Sequence, residues 1–353
     1  MSRIDQVVIH VQEVRGSNRT AEIAAATDNV RNADANEIVE WFSGNNSQTF
    51  IRSDRENIFF HPLPYGDFAL GIINSWGNGG CSLRERIESF FVRVFIISPN
   101  VLLCYANNPI AIYENLRREN YIAEITTLPE KLKPITVLPE QKICDTDILK
   151  KLAAEAGAVA ISRFFQSLLD SVSTIFRPYD SMTSLFVLSG IFNLLPVRFR
   201  SGLTFSTELF LSAVNPLQAI GFCGEVEAAV KLAKDSGVAL VDFGRFNRYE
   251  NPPRNVRLGQ WSKLVLQILS GGDFAFWEYQ IKADAELCND PEEFVNWQDL
   301  DELAIIWQRK RRKKPINRKN CPNKTEESAE RGIEKSIAAI EMLLADVKRK
   351  PTG

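Results

Sequence analysis

Phe90–Ser98 reads FFVRVFIIS, with Arg93 and Ser98 its sole polar residues, and Pro99 stands directly behind it. Aromatic and β-branched side chains favour a pleated backbone and proline cannot continue one, so this run is the chain's clearest β-strand. Any fold for this sequence must therefore contain a sheet. Upstream, Gln6–Val11 (QVVIHV), Phe50-Ile51, Ile58–Phe60 and Phe68–Ile73 read as further strands, set apart by Pro62 and the Tyr65-Gly66-Asp67 turn. Thr20–Val30 and Asn36–Trp41 are expected as short helices on alanine and glutamate content. Short helices are also expected over Pro99–Tyr105 and from Pro109 towards Leu116. Strands with short helices between them predict an α+β N-terminal domain over residues 1–140.

Residues 145–295 read as a second, middle domain. Asp145 is placed to cap a long helix from Ile148 to about Ser171, whose apolar positions Leu149, Leu152, Ala156, Val159, Ala160, Phe164 and Leu168 fall at helical spacing. A second helix is expected from Asp180-Ser181 to Pro196, and Val197–Ser206 alternates like a half-exposed strand with Arg198 and Arg200 outward. Leu217–Phe222, Glu225–Asp235 and Val238–Phe243 follow as strand, helix and strand, a βαβ unit that implies a parallel pair. Helices close the domain at Gln260–Leu269 and around Phe274–Ala285. The expected class is α+β, or mixed α/β, with a βαβ-containing sheet in the second domain.

Residues 298–353 read as a basic helical tail. A helix capped by Asp299 runs through Leu303, Ile306 and Trp307 into six consecutive cations, Arg309, Lys310, Arg311, Arg312, Lys313 and Lys314. After a linker holding Pro315 and Pro322, a last helix over Thr325–Lys350 carries Ile333, Ile337, Ile340, Leu344 and Val347 at alternating four- and three-residue steps, a short coiled-coil seam. Such a stripe must be buried, either against the protein itself or against another chain. The cation run can neutralise nucleic-acid phosphates, or it can be a solvated helix end in a chain whose net charge is −2.

Catalytic signals are sparse. The two histidines, His10 and His61, sit in a strand and a His-Pro turn with nothing in the sequence linking them. The six cysteines are scattered without a C-x-x-C pair, so they read as small hydrophobes and no metal site is expected. The strand-to-helix turn Phe222-Cys223-Gly224-Glu225 lacks the glycine spacing of a dinucleotide fingerprint and the Lys-Ser/Thr of a P-loop, so no cofactor is expected. Arg3, Asp5 and Gln6 stand where a signal peptide would be apolar, and Arg93, Asn100, Ser189 and Asn193 break the longest apolar runs below the ~20 residues of a membrane span. A cytoplasmic protein without membrane contact is expected.

Three stretches carry a resemblance: Leu63–Gly71 (LPYGDFALG), Val94–Leu102 running on to Tyr105-Ala106-Asn107-Asn108-Pro109, and Leu194–Val197 through Leu203–Thr207. In order and spacing the chain resembles, over residues 1–245, the N-terminal and middle domains of the bacterial GTPase-associated protein family of conflict-system and planctomycete-type gene neighbourhoods. The resemblance implies an accessory to a separate GTPase or NTPase. That family has no established catalytic residues, so no site residue is carried over. The expectation is a non-enzymatic accessory or scaffold protein that binds another protein through the Ile333–Val347 seam. The alternatives are a nucleic-acid-associated protein using residues 309–314, or an enzyme with a site not visible in the sequence.

Overall fold

The structure is a computed structural model that describes residues 2–14, 19–43, 49–50, 56–73, 87–122, 131–138, 142–179, 181–211, 216–244, 257–288 and 296–313. From the N-terminus come β1 (Ser2–Val14), β2 (Arg19–Ala26), α1 (Asn32–Phe42), β3 (Thr49–Phe50), β4 (Asn57–Pro62), β5 (Phe68–Ile73) and β6 (Ile87–Ile97). Then follow α2 (Pro99–Cys104), α3 (Pro109–Arg118), β7 (Ile135–Val137), α4 (Thr146–Ala156), α5 (Ala158–Asp170), β8 (Thr174–Arg177), α6 (Ser184–Leu194) and the single turn α7 (Val197–Arg200). The remainder is β9 (Phe205–Ser206), β10 (Phe210–Leu211), β11 (Ala219–Gly221), α8 (Val226–Ser236), β12 (Ala239–Asp242), α9 (Gln260–Gly271), α10 (Phe274–Leu287) and α11 (Asp299–Lys313).

The fold is mixed α/β, as the sequence implies. One sheet runs in the order β12-β8-β11-β9-β4-β5-β6-β1-β2, with β7 paired to β1, while β3 and β10 form a separate pair. Strands β12, β8, β11 and β9 are parallel; from the β9–β4 junction to β2 each neighbour is antiparallel. The junction pairs Phe59 with Ser206 and Phe60 with Phe205, so the division expected near residue 140 falls between elements that share one sheet.

β6 explains its own sequence. Its side chains alternate between two cores, Phe90, Val92, Val94 and Ile96 into one and Phe95 and Ile97 into the other. A strand covered on both faces needs apolar residues at nearly every position, which is why the run reads as continuous rather than alternating. Ser98 then caps α2 by accepting from the Val101 N–H, with Pro99 in the first turn where its missing N–H costs nothing. On β5, Gly71 lies opposite Phe59, whose ring fills the space a side chain would need: a Cβ there would sit 1.8 Å from Phe59 Cζ.

Five expectations need correction. Thr20–Val30 is not a helix; Arg19–Ala26 forms edge strand β2, paired antiparallel with β1 from Gln12↔Thr20 to Val7↔Ala26. Helix propensity differs by a fraction of a kcal/mol per residue, and the hydrogen bonds offered by β1 override it. The long helix from Ile148 to Ser171 is two helices, broken at Gly157, where φ is 79°. The next helix begins not at Asp180-Ser181 but at Ser184, capped by the Thr183 hydroxyl. Val197–Ser206 is not a strand with Arg200 outward: it is the turn α7 followed by the two-residue β9, and Arg200 is fully buried. Four alternating residues are too few to separate a period of 2 from one of 3.6. The βαβ strands β11 and β12 are parallel, but β8 lies between them.

Candidate functional site

α11 carries the described part of the expected tail, and it belongs to the body. Leu300, Ala304 and Trp307 are buried, and the Trp307 ring meets Trp261 of α9 and Trp277 of α10 at centroid distances of 5.6 and 5.4 Å. Asp301 Oδ1 accepts from the Trp261 N–H at 2.8 Å at the start of α9. Helical spacing leaves a second face outward: Glu302, Ile305, Ile306, Arg309 and Lys310 are all exposed. Ile306 is 48% exposed and Ile305 37%.

The cation run is divided by that geometry. Arg309 and Lys310 face solvent, while the Arg311 guanidinium turns inward and donates to Asp273 Oδ2 at 2.9 Å. The side chains of Arg312 and Lys313, and all of Lys314 and the seam Ile333, Ile337, Ile340, Leu344 and Val347, lie outside the described residues.

The histidines are far apart. Sheet register puts His61 in one row with Ala69, Ile96 and Asp5, five positions along β1 from His10 and three strands away. At ~3.4 Å per residue and ~4.8 Å per strand the separation is about 20 Å. Burial holds the His61 imidazole below its ordinary pKa, against a hydrogen bond with Pro62 O and the charge of Glu37. His10 lies 3.3 Å from Glu22 Oε1. Among the described residues no group of three or more His, Cys, Asp or Glu is placed to hold a metal ion.

The glycine turn after β11 is shaped by packing. A Cβ on Gly221 would fall 2.2 Å from Thr207 O, and the Gly224 carbonyl accepts from Arg177 Nε at 2.9 Å. Arg177 Nη1 also donates to Asp242 Oδ1 at 3.1 Å, tying together the carboxyl ends of β8 and β12.

The arrangement that the sequence concealed is a cavity of about 470 Å³. Leu103 of α2, Ala106, Ile143, Val197, and Ala285 and Cys288 at the end of α10 form its walls, with Lys282 and Glu286 beside them. Directly behind two of these walls lies Arg200. Its Nε donates to Leu195 O at 3.0 Å, Nη1 to Ala106 O at 3.1 Å and Nη2 to Ile143 O at 2.8 Å. Burial pushes its pKa down to about 10, opposed by the nearby Cys144, Asp284 and Cys288. Ala106 and Asn107, consecutive and neither of them glycine, both adopt the left-handed conformation, with φ of 53° and 55°. Asn107 Nδ2 donates to Val197 O at 3.1 Å and approaches Cys288 Sγ at 3.8 Å.

Electrostatics around the cavity are dominated by desolvation. Burial raises the Asp284 carboxyl above the ordinary range, although Arg198 Nε lies 3.1 Å away and the Arg198 and Val197 backbone N–H groups bond to it. Burial likewise pushes the Cys144 thiol up to about 11. A thiol so placed is a poor nucleophile at neutral pH.

The chain matches no known protein-family model and none of the characterised proteins with which it was compared.

Proposed function

We propose that this chain is a cytoplasmic, non-enzymatic accessory protein that works by binding another protein, with a GTPase or other NTPase as the partner class. The observation that supports this is the double-faced α11. Its inner stripe is committed to the tryptophan cluster, and its outer stripe presents Ile305 and Ile306 to solvent between Glu302 and the pair Arg309 and Lys310. Two exposed isoleucines flanked by charge give a partner a small apolar patch with a polar rim. The helix leads in sequence towards the seam Ile333, Ile337, Ile340, Leu344 and Val347, which would extend the same contact. No helix among the described residues is long and apolar enough to cross a membrane.

The nucleic-acid alternative has weaker support, since Arg311 is engaged with Asp273 and the described part of the run offers two outward cations.

The test is capture of NTPases from the native host by immobilised protein. An NTPase retained by the wild type and lost with Ile305→Glu/Ile306→Glu, at unchanged thermal stability, supports the reading. No NTPase retained, or retention indifferent to both the double substitution and replacement of the five seam isoleucine, leucine and valine residues by serine, overturns it.

A further inference from the structure

We propose that the cavity between α2, α7 and the end of α10 is a binding site for a small amphipathic organic molecule, with Arg200 as the positioning residue that ties its walls to one another. Two costly features converge on this one place. The first is a fully buried guanidinium whose described hydrogen bonds go to backbone carbonyls. Taking a guanidinium out of water carries a desolvation cost that these hydrogen bonds must offset. The second is the left-handed pair Ala106 and Asn107, which closes α2 through the Asn107 N–H to Leu102 O at 2.9 Å and is tied by its side chain to Val197 O. Departures from local rules concentrate where a site must be held in shape.

The enforcement can be traced bond by bond. Arg200 fixes the carbonyls of Ala106 and Ile143, which belong to two walls, and that of Leu195, two residues before a third wall at Val197. Asn107 Nδ2 ties the same turn to Val197 O and approaches Cys288 Sγ. These groups join the walls around the space without filling it. The volume of about 470 Å³ lies within the range of sites for small organic ligands, about 300–1,000 Å³.

Lining chemistry sets the ligand class. Ala106, Val197 and Cys288 are buried and form an apolar floor, while Lys282 and Glu286 are exposed and mark the solvent side. The ligand is therefore amphipathic, a ring or short chain on the apolar floor with polar groups at the Lys282–Glu286 mouth. The site does not depend on the α11 face, so either can fail without the other.

The full chain titrated with phenylnaphthylamine, whose emission rises when it leaves water, is expected to show saturable one-to-one binding. Ala285→Phe, which fills the space from its wall, is expected to weaken that binding at least tenfold, while Val172→Ser on a remote exposed position leaves it unchanged. A second measurement needs no variant: an aryl diazirine photolysed with the wild type is expected to label peptides containing Leu103–Ala106 and Lys282–Cys288. Non-saturable binding, an Ala285→Phe protein that folds and binds as tightly as the wild type, or labels confined to other peptides would overturn the proposal.

Discussion

Arg200 and Asp145 show what a single residue reveals to a reader of the sequence. Asp145 caps α4 by accepting from the Asp147 and Ile148 N–H groups at 3.0 and 3.4 Å, and those partners lie within three residues, so the cap was legible. Arg200 reaches carbonyls 94 and 57 residues away, and no local pattern encodes that reach. Arg200→Met strands those carbonyls and is expected to lower stability by about 3 kcal/mol, read from the urea midpoint. For Asp145, burial acts to raise the carboxyl, but bonds from Lys142 and the two N–H groups outweigh it and hold its pKa below the usual value. Its contribution is therefore complete above the unfolded value near ~3.9 and is lost as pH falls through the lowered folded value. Asp145→Ala is expected to cost about 1 kcal/mol at neutral pH, with the difference from the wild type shrinking as the medium is acidified below the unfolded value. Cysteine chemistry gives a third test at this scale. Exposed Cys223 should alkylate with iodoacetamide well before buried Cys144 and Cys288, as peptide mass mapping would record; early modification of Cys144 would contradict the assigned burial.

Elements were legible where their own side chains decide the outcome and illegible where neighbours do. β4, β5, β6, α2, α3, α8, α9 and α10 appear close to where periodicity and proline placement put them. β2 does not, because an alanine-rich segment takes its conformation from the strand beside it, and the α4–α5 break does not, because a lone glycine in an apolar period looks tolerable. That break yields a test whose sign separates the two readings. In a continuous helix Gly157→Ala would stabilise by about 1 kcal/mol. With φ at 79°, the same change is expected to destabilise by about 1–2 kcal/mol in denaturant unfolding. The cavity was hidden for the same reason as β2: its walls come from four separate stretches of the chain, and the local alternation around Val197 pointed to the wrong element.

At the scale of the whole molecule, the β4–β9 junction makes the two halves interdependent. One core joins Ile4, Phe60, Leu70 and Phe95 from the first half to Phe164, Phe192, Phe205 and Trp277 from the second. Residues 1–140 expressed alone are therefore expected to lack a cooperative thermal transition by circular dichroism, and the full chain is expected to show it. The junction also sets a clock. Ile58 N donates to Thr207 Oγ1 across 149 residues of chain, and the Thr207 N–H returns a bond to Ile58 O. On a ribosome adding about 5–20 residues per second, β4 emerges roughly 7–30 s before the strand that closes its edge. For that interval an apolar hairpin of β4 and β5 offers open backbone hydrogen bonds to any neighbouring nascent chain. A holding chaperone that covers this edge should therefore raise the soluble yield of this protein far more than it changes the stability of the finished fold.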